Sequence, residues 1–241
     1  MIKRILVLLP ITLLCSGIYA QYSLGTTGML NIPTAEMQET GTFMGGGNFL
    51  PKQINPERFK YNTGNYFIDF TFFSFLELTY RETLCKSDYM VKSTKLKQQD
   101  RSYSVRLRPL KEGKYYPAIV VGANDPIADK GANTYQSYYA VATKNFGLRG
   151  GHRIGVTIGY YLPGEKNNNA KYWGNQYDGI FGGICYVPAF CKQLRFMAEY
   201  DSAGFNIGAS ALLWKHLSLH VFTREFNCVS GGIRYECTLI H

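Results

Sequence analysis

Along residues 102–108 the chain alternates between two chemistries: Tyr103, Val105 and Leu107 on one side, Ser102, Ser104, Arg106 and Arg108 on the other. Successive side chains of a strand point to opposite faces, so this stretch predicts a β-strand with one apolar and one cationic face. A turn at Lys111-Glu112-Gly113-Lys114 follows, with Gly113 free to take positive φ. The next strand, 118–123, is apolar and β-branched and stops at Asn124-Asp125-Pro126, a turn signature. An arginine face back to back with an apolar face is out of place in a soluble core. It suits an outer-membrane barrel, where the apolar face meets lipid and the polar face a wet lumen.

The rest of the chain allows that architecture. Residues 1–20 read as a secretory signal, with Lys3 and Arg4 as the positive start, an apolar stretch over 5–14 and Ala20 before the expected cut at Gln21. After residue 20 no apolar run reaches the roughly 20 residues a spanning helix needs. A membrane-embedded mature chain is then restricted to a closed barrel, which pairs every backbone group internally. The 19 Tyr, 15 Phe and 25 Gly suit strands, tight turns and an interfacial aromatic girdle.

Alternating or apolar segments recur at 42–50, 65–73, 75–81, 102–108, 118–123, 135–146, 153–161, 178–187, 193–200, 205–214, 217–226 and 229–240. The expectation is an all-β fold, a single antiparallel transmembrane barrel over 41–241 of about twelve strands. Ten is the alternative if the first strand or that at Tyr135 does not pair. Residues 52–62, 84–99, 127–134 and 163–176 are polar and predict loops, with Tyr172 and Trp173 in the last able to stack on sugar rings or anchor the loop at an interface. Residues 21–40 are Gly- and Pro-rich and predict a turn with a short helix after Pro33, ended by Gly41; the segment either tucks into or across the periplasmic mouth of the barrel or forms a mobile N-terminal tail. A soluble β-sandwich also alternates, with the arginines then in water.

The predicted inward face collects Asp69, Glu77, Arg81, Arg106, Arg108, Arg153, Arg195, Glu199, Arg224, Arg234 and Glu236. Two readings follow. These groups form ion pairs that fill and rigidify a small lumen, or they line a path for an anionic sugar polymer whose carboxylates fit arginine forks. A barrel of about twelve strands has little open space, which favours the first reading.

The formal charge of +9 is dispersed and accords with solvated loops and lumen wall, or with affinity for acidic glycans. A secreted chain without a basic helix or a recognised motif is not expected to bind nucleic acid. The cysteines after the signal, 85, 185, 191, 228 and 237, match no metal-site spacing. Cys185 and Cys191 flank a five-residue connection. A disulfide across it and two free thiols are the alternatives, since spacing does not settle geometry. Histidines 152, 216, 220 and 241 form no H-x-x-x-H on a helix, and G-x-S-x-G does not occur. No enzyme and no cofactor are expected.

Four runs stand out: D-R-S-Y…L-R-x-L-x-E-G-x-Y-x-P-A-I-x-V-G-x-x-D-P over 100–126, the Gly-rich lead and Pro-Thr-Ala segment over 25–37, the run 138–147, and E-Y-D…F-N-I-G over 199–208. They resemble the YjbH family of bacterial outer-membrane barrels linked to exopolysaccharide and capsule export. The resemblance implies an outer-membrane location in a Gram-negative bacterium and a role in exopolysaccharide or capsule secretion or assembly. It also implies outer-membrane lipid as surroundings, and anionic polysaccharide or periplasmic export proteins as partners. A scaffold barrel without transport is the second hypothesis, and an outer-membrane lipid- or glycan-modifying enzyme the third.

Overall fold

The computed structural model describes residues 22–55, 60–86, 95–126, 135–163 and 177–239. The expected signal at 1–20, the expected loop with Tyr172 and Trp173, and His241 lie outside them. Among the described residues are twelve strands: β1 Thr42–Leu50, β2 Thr63–Phe73, β3 Leu76–Lys86, β4 Leu96–Leu110, β5 Ala118–Asn124, β6 Ser137–Gly147, β7 Arg153–Pro163, β8 Gly179–Val187, β9 Leu194–Tyr200, β10 Phe205–Leu213, β11 Leu217–Arg224 and β12 Cys228–Thr238. Each pairs antiparallel with its neighbour in sequence, and β1 pairs with β12 from Thr42↔Thr238 to Phe49↔Gly231, so the sheet closes without an edge. Both β1 and β6 pair on two sides, which rules out the ten-strand alternative.

Alternation decides which way each strand faces. On β2, Asn65, Phe67, Asp69 and Thr71 are buried inside, while Tyr66, Ile68 and Phe72 are exposed outside. The same parity runs round the barrel: Ile158, Ile180, Ile207 and Val221 point out, and Thr157, Phe181, Asn206 and His220 point in. Because neighbouring strands are antiparallel, the connections fall at two ends. Five short turns, at 74–75, 111–117, 148–152, 188–193 and 214–216, share one end with Thr42 and Thr238. The strand ends that flank 51–62, 87–95, 125–136 and 164–178 are at the other end, with the tight turns 201–204 and 225–227.

Several details differ from the sequence expectation. β3 and β4 run on to Lys86 and Leu96, so the connection between them is shorter than 84–99; inward Thr83 and Cys85 keep the alternation going. Gly113 does not need positive φ. A Cβ there would lie 2.3 Å from Cζ of Tyr116, so the missing side chain makes room for that ring. The short helix after Pro33 is absent: Pro33 bridges to Gly28, and the Ala35 N–H donates to Thr143 Oγ1 at 2.8 Å. The Ala35 N–H thus goes to the barrel wall and not to a carbonyl one helical turn back.

Candidate functional site

The lumen is occupied by the chain itself. Residues 22–35 are all buried, including Tyr22, Leu24, Leu30 and Ile32 at 0–1% exposure, although they lie outside the strands. The segment makes a compact double loop with its own bonds, Ser23 N–H to Leu30 O at 3.0 Å and Met29 N–H to Ile32 O at 2.9 Å. Gly25 permits one corner: its φ is +95°, and a Cβ would come within 2.5 Å of the Phe67 ring.

Residues of the predicted inward set hold this segment. Glu77 on β3 accepts the Thr27 N–H at 2.7 Å and, on its other oxygen, Arg106 Nη1 at 2.6 Å. Glu77 and Arg106 are opposite each other in the β3–β4 register, and neither side chain is exposed. Arg106 Nη2 donates to the carbonyls of Thr34 and Glu36. Arg81 donates to Leu24 O at 3.1 Å and lies over the Tyr135 ring, 4.4 Å from its centroid. Glu199 on β9 accepts the N–H groups of Leu30 at 3.0 Å and Asn31 at 2.6 Å. Asp69, buried beside them, accepts the Thr79 hydroxyl. A folded loop carries unpaired amides and carbonyls wherever it goes, and a buried one must find partners for them. Carboxylates accept the amides and guanidinium groups donate to the carbonyls.

The other members of the set sit nearer the two rims. Arg224 pairs with Asp201 of the β9–β10 turn at 3.3 Å, and Asp201 accepts the Asn31 amide at 2.5 Å. Arg234 is fully buried and pairs with half-buried Glu236 at 2.5 Å. Arg195 is buried and lies 3.7 Å from Glu36 of the inserted segment. Arg153 is half-buried on the inner face of β7. Arg108 departs from the inward series. The β4–β5 register shifts between Leu107 and Leu110, and there the guanidinium turns onto the Ser74 carbonyl of the β2–β3 turn. Cys185 and Cys191 are both free in the structure and are not bonded to each other. Cys185 faces Met197 across β8–β9 on the inner wall, whereas Cys191 lies in the turn with its thiol 3.7 Å from Gln193 Oε1.

Sequence reasoning missed the groups that complete the set. Asn48 and Asn65 both donate to Ser23 O, at 3.0 and 2.8 Å, and Asn206 donates to Glu199 and Asp201. Their signal was small polar residues at inward parity, less visible than charge. It also missed the aromatic stretch of the wall, where Tyr139, Tyr161, Phe181 and Tyr177 pack ring against ring and Tyr22 Oη meets Tyr161 Oη at 3.3 Å. Beyond the strands, burial pushes the Asp125 carboxyl up although Arg81 and the Tyr103 N–H oppose it. Among the described residues no group of three or more His, Cys, Asp or Glu is placed to hold a metal ion.

A closed twelve-strand barrel with a charged, self-occupied lumen is the setting in which the family match is read. The family described as Exopolysaccharide biosynthesis protein YbjH (YjbH) matches residues 20–220. The chain belongs to the YjbH family. No curated protein matches it. For this YjbH-family barrel the match covers the inserted segment together with the strands through the first half of β11, so the segment and most of the wall that holds it fall within one family unit.

Proposed function

We propose that this chain is an outer-membrane barrel serving exopolysaccharide or capsule secretion or assembly, and that it works with its lumen closed by residues 22–38. The membership of the YjbH family supports the exopolysaccharide role. The outer face supports the membrane: Ile68, Val156, Ile158, Ile180, Ile184, Ile207, Val221 and Ile233 are exposed in a band round the closed sheet. Exposed aromatic residues stand at both ends of that band, Phe73, Phe75, Phe190 and Trp214 at the short-turn end, and Tyr66, Tyr138, Tyr160 and Phe205 at the other. Short turns mark the periplasmic side of such barrels, so the short-turn mouth faces the periplasm in this reading.

The single observation that carries the closed state is the fully buried Glu77–Arg106 pair, bonded to both Thr27 and Thr34 of the inserted segment. A polymer has no continuous path past it. Polysaccharide is then handled at a mouth or by an export partner, without a reaction of its own on the barrel. The scaffold reading draws on the same filled lumen. Fractionation of producing cells, with electrophoresis before and after boiling, tests the location: outer-membrane recovery with a heat-dependent mobility shift is expected, and recovery in the soluble periplasm would overturn it. Deleting the gene is expected to reduce secreted polymer, and unchanged polymer would leave only the scaffold. Planar-bilayer conductance of the purified chain is expected to be near zero; a large steady conductance sinks the closed state.

A further inference from the structure

At the short-turn mouth, the inserted segment and the wall leave a cleft of about 10 Å³, room for about one water molecule. Arg153, Arg195, Glu36, Asn145, Thr143 and Cys185 are among the residues around it. Arg195 is 97% buried, yet its Nε and Nη2 reach no oxygen or nitrogen acceptor among the described residues, and the Cys185 thiol is its neighbour in the cleft. Burying a guanidinium without filling its donors is costly. Its carboxylate neighbour is Glu36, at 3.7 Å, too long for a hydrogen bond. The other hold on the Glu36 carboxylate is Asn145 Nδ2 at 3.2 Å. Arg153 adds a second cation on the same cleft, with no carboxylate within ion-pair distance among the described residues. Two guanidinium groups thus face one loosely held, half-buried carboxylate.

We propose that this cleft is a binding site for the carboxylate of an acidic sugar, and that Glu36 is its internal stand-in. A ligand carboxylate entering from the short-turn mouth takes the place of the Glu36 carboxylate. Glu36 swings outward, while its backbone carbonyl stays on Arg106 Nη2 at 3.1 Å. The ligand accepts from Arg153 and from the free donors of Arg195, which a planar two-oxygen group fits better than the distant Glu36 does. Asn145 lines the same cleft, and the departure of Glu36 frees one of its amide hydrogens for the ligand, while the Thr143 hydroxyl stays on the Ala35 N–H and Thr157. The ligand class rests on the exopolysaccharide role proposed above; the site itself rests on the geometry.

The test is calorimetric titration of the full chain, folded in detergent micelles at fixed ionic strength, with galacturonate. Acetate, inorganic phosphate and galactose are titrated alongside. Saturable galacturonate binding is expected, tighter than acetate or phosphate, with none for galactose. Glu36→Gln removes the competing charge and is expected to tighten binding roughly ten-fold, and Arg153→Gln to weaken it roughly ten-fold or more. The heat-dependent mobility shift shows that each variant is folded; if Arg153→Gln is not, Glu36→Gln alone decides. No saturable binding, or affinity unmoved by Glu36→Gln, overturns the site. Phosphate or acetate binding as tightly as galacturonate overturns the sugar-acid assignment. Loss of polymer in a deletion strain without galacturonate binding would remove this site and leave the secretion role standing.

Discussion

On β3, β4 and β9 the inner wall meets the inserted segment with Glu77, Arg81, Arg106 and Glu199; on β6, β7 and β8 it meets the same segment with Tyr139, Tyr161 and Phe181. The first side grips backbone. Its bonds run to the N–H groups of Thr27, Leu30 and Asn31 and to the carbonyls of Leu24, Thr34 and Glu36. The second side grips mostly side chains, with Tyr22, Met29, Leu30 and Ile32 in one apolar cluster with the wall aromatics, and takes one backbone N–H, that of Ala35, on Thr143. An irregular segment has both amides to satisfy and apolar surface to bury. Dividing the two tasks between an aromatic arc of the wall and the charged strands that flank it lets one short loop fill a barrel. The difference also implies unequal tolerance. Charged bonds in a dry interior are costly to break singly, whereas ring packing degrades by degrees.

The largest expected effect is on the charged side. Glu77→Ala leaves Arg106 buried without its carboxylate and is expected to cost about 3–5 kcal/mol, read from denaturant unfolding in micelles. A cost no larger than that of a surface substitution would break the contrast. Phe181→Leu on the aromatic side, where its ring lies 4.2 Å from that of Tyr161, is expected to cost about 1.5 kcal/mol. Tyr161→Phe removes the hydroxyl contact to Tyr22 and keeps the ring. A loss of about 0.5–1 kcal/mol is expected, and a loss matching Glu77→Ala would mean that this wall too is held by polar bonds.

The smallest effect lies at the rim of the aromatic side. Burial pushes the Glu112 carboxyl up, but bonds from Asn145 and Lys144 outweigh it and hold it below the usual range. A carboxyl lowered on folding adds stability that is full above its unfolded pKa of about 4.3 and fades as pH falls through the lower folded value. Glu112→Gln is expected to flatten that part of the acid-stability curve, and an unchanged curve would show that the rim bonds add nothing.

The barrel was legible in the sequence because alternation is local. Tyr66-Phe67-Ile68-Asp69 states its two faces without reference to any other strand, and parity carried Glu77, Arg106, Arg195 and Glu199 inward. Arg108 escaped that rule because a register shift at the end of β4 is set by its partner strand and not by its own residues. The residues of 135–146 read as apolar on both faces, and only the inserted Tyr22 beside Tyr161 shows what the inner face packs against.

Periodicity by itself determined that the chain is all-β, that it forms about twelve strands, and which charges leave the apolar face. Those properties follow from backbone geometry repeated every two residues. What the charges are for was decided only by the tertiary structure. Glu199 and Leu30 are 169 positions apart, and Arg106 and Thr34 are 72 apart. Nothing in a Gly- and Pro-rich leader announces that its amides will be bonded by carboxylates from distant strands. That pairing arises when the closed sheet leaves a dry space and the segment's unsatisfied backbone must find donors and acceptors inside it.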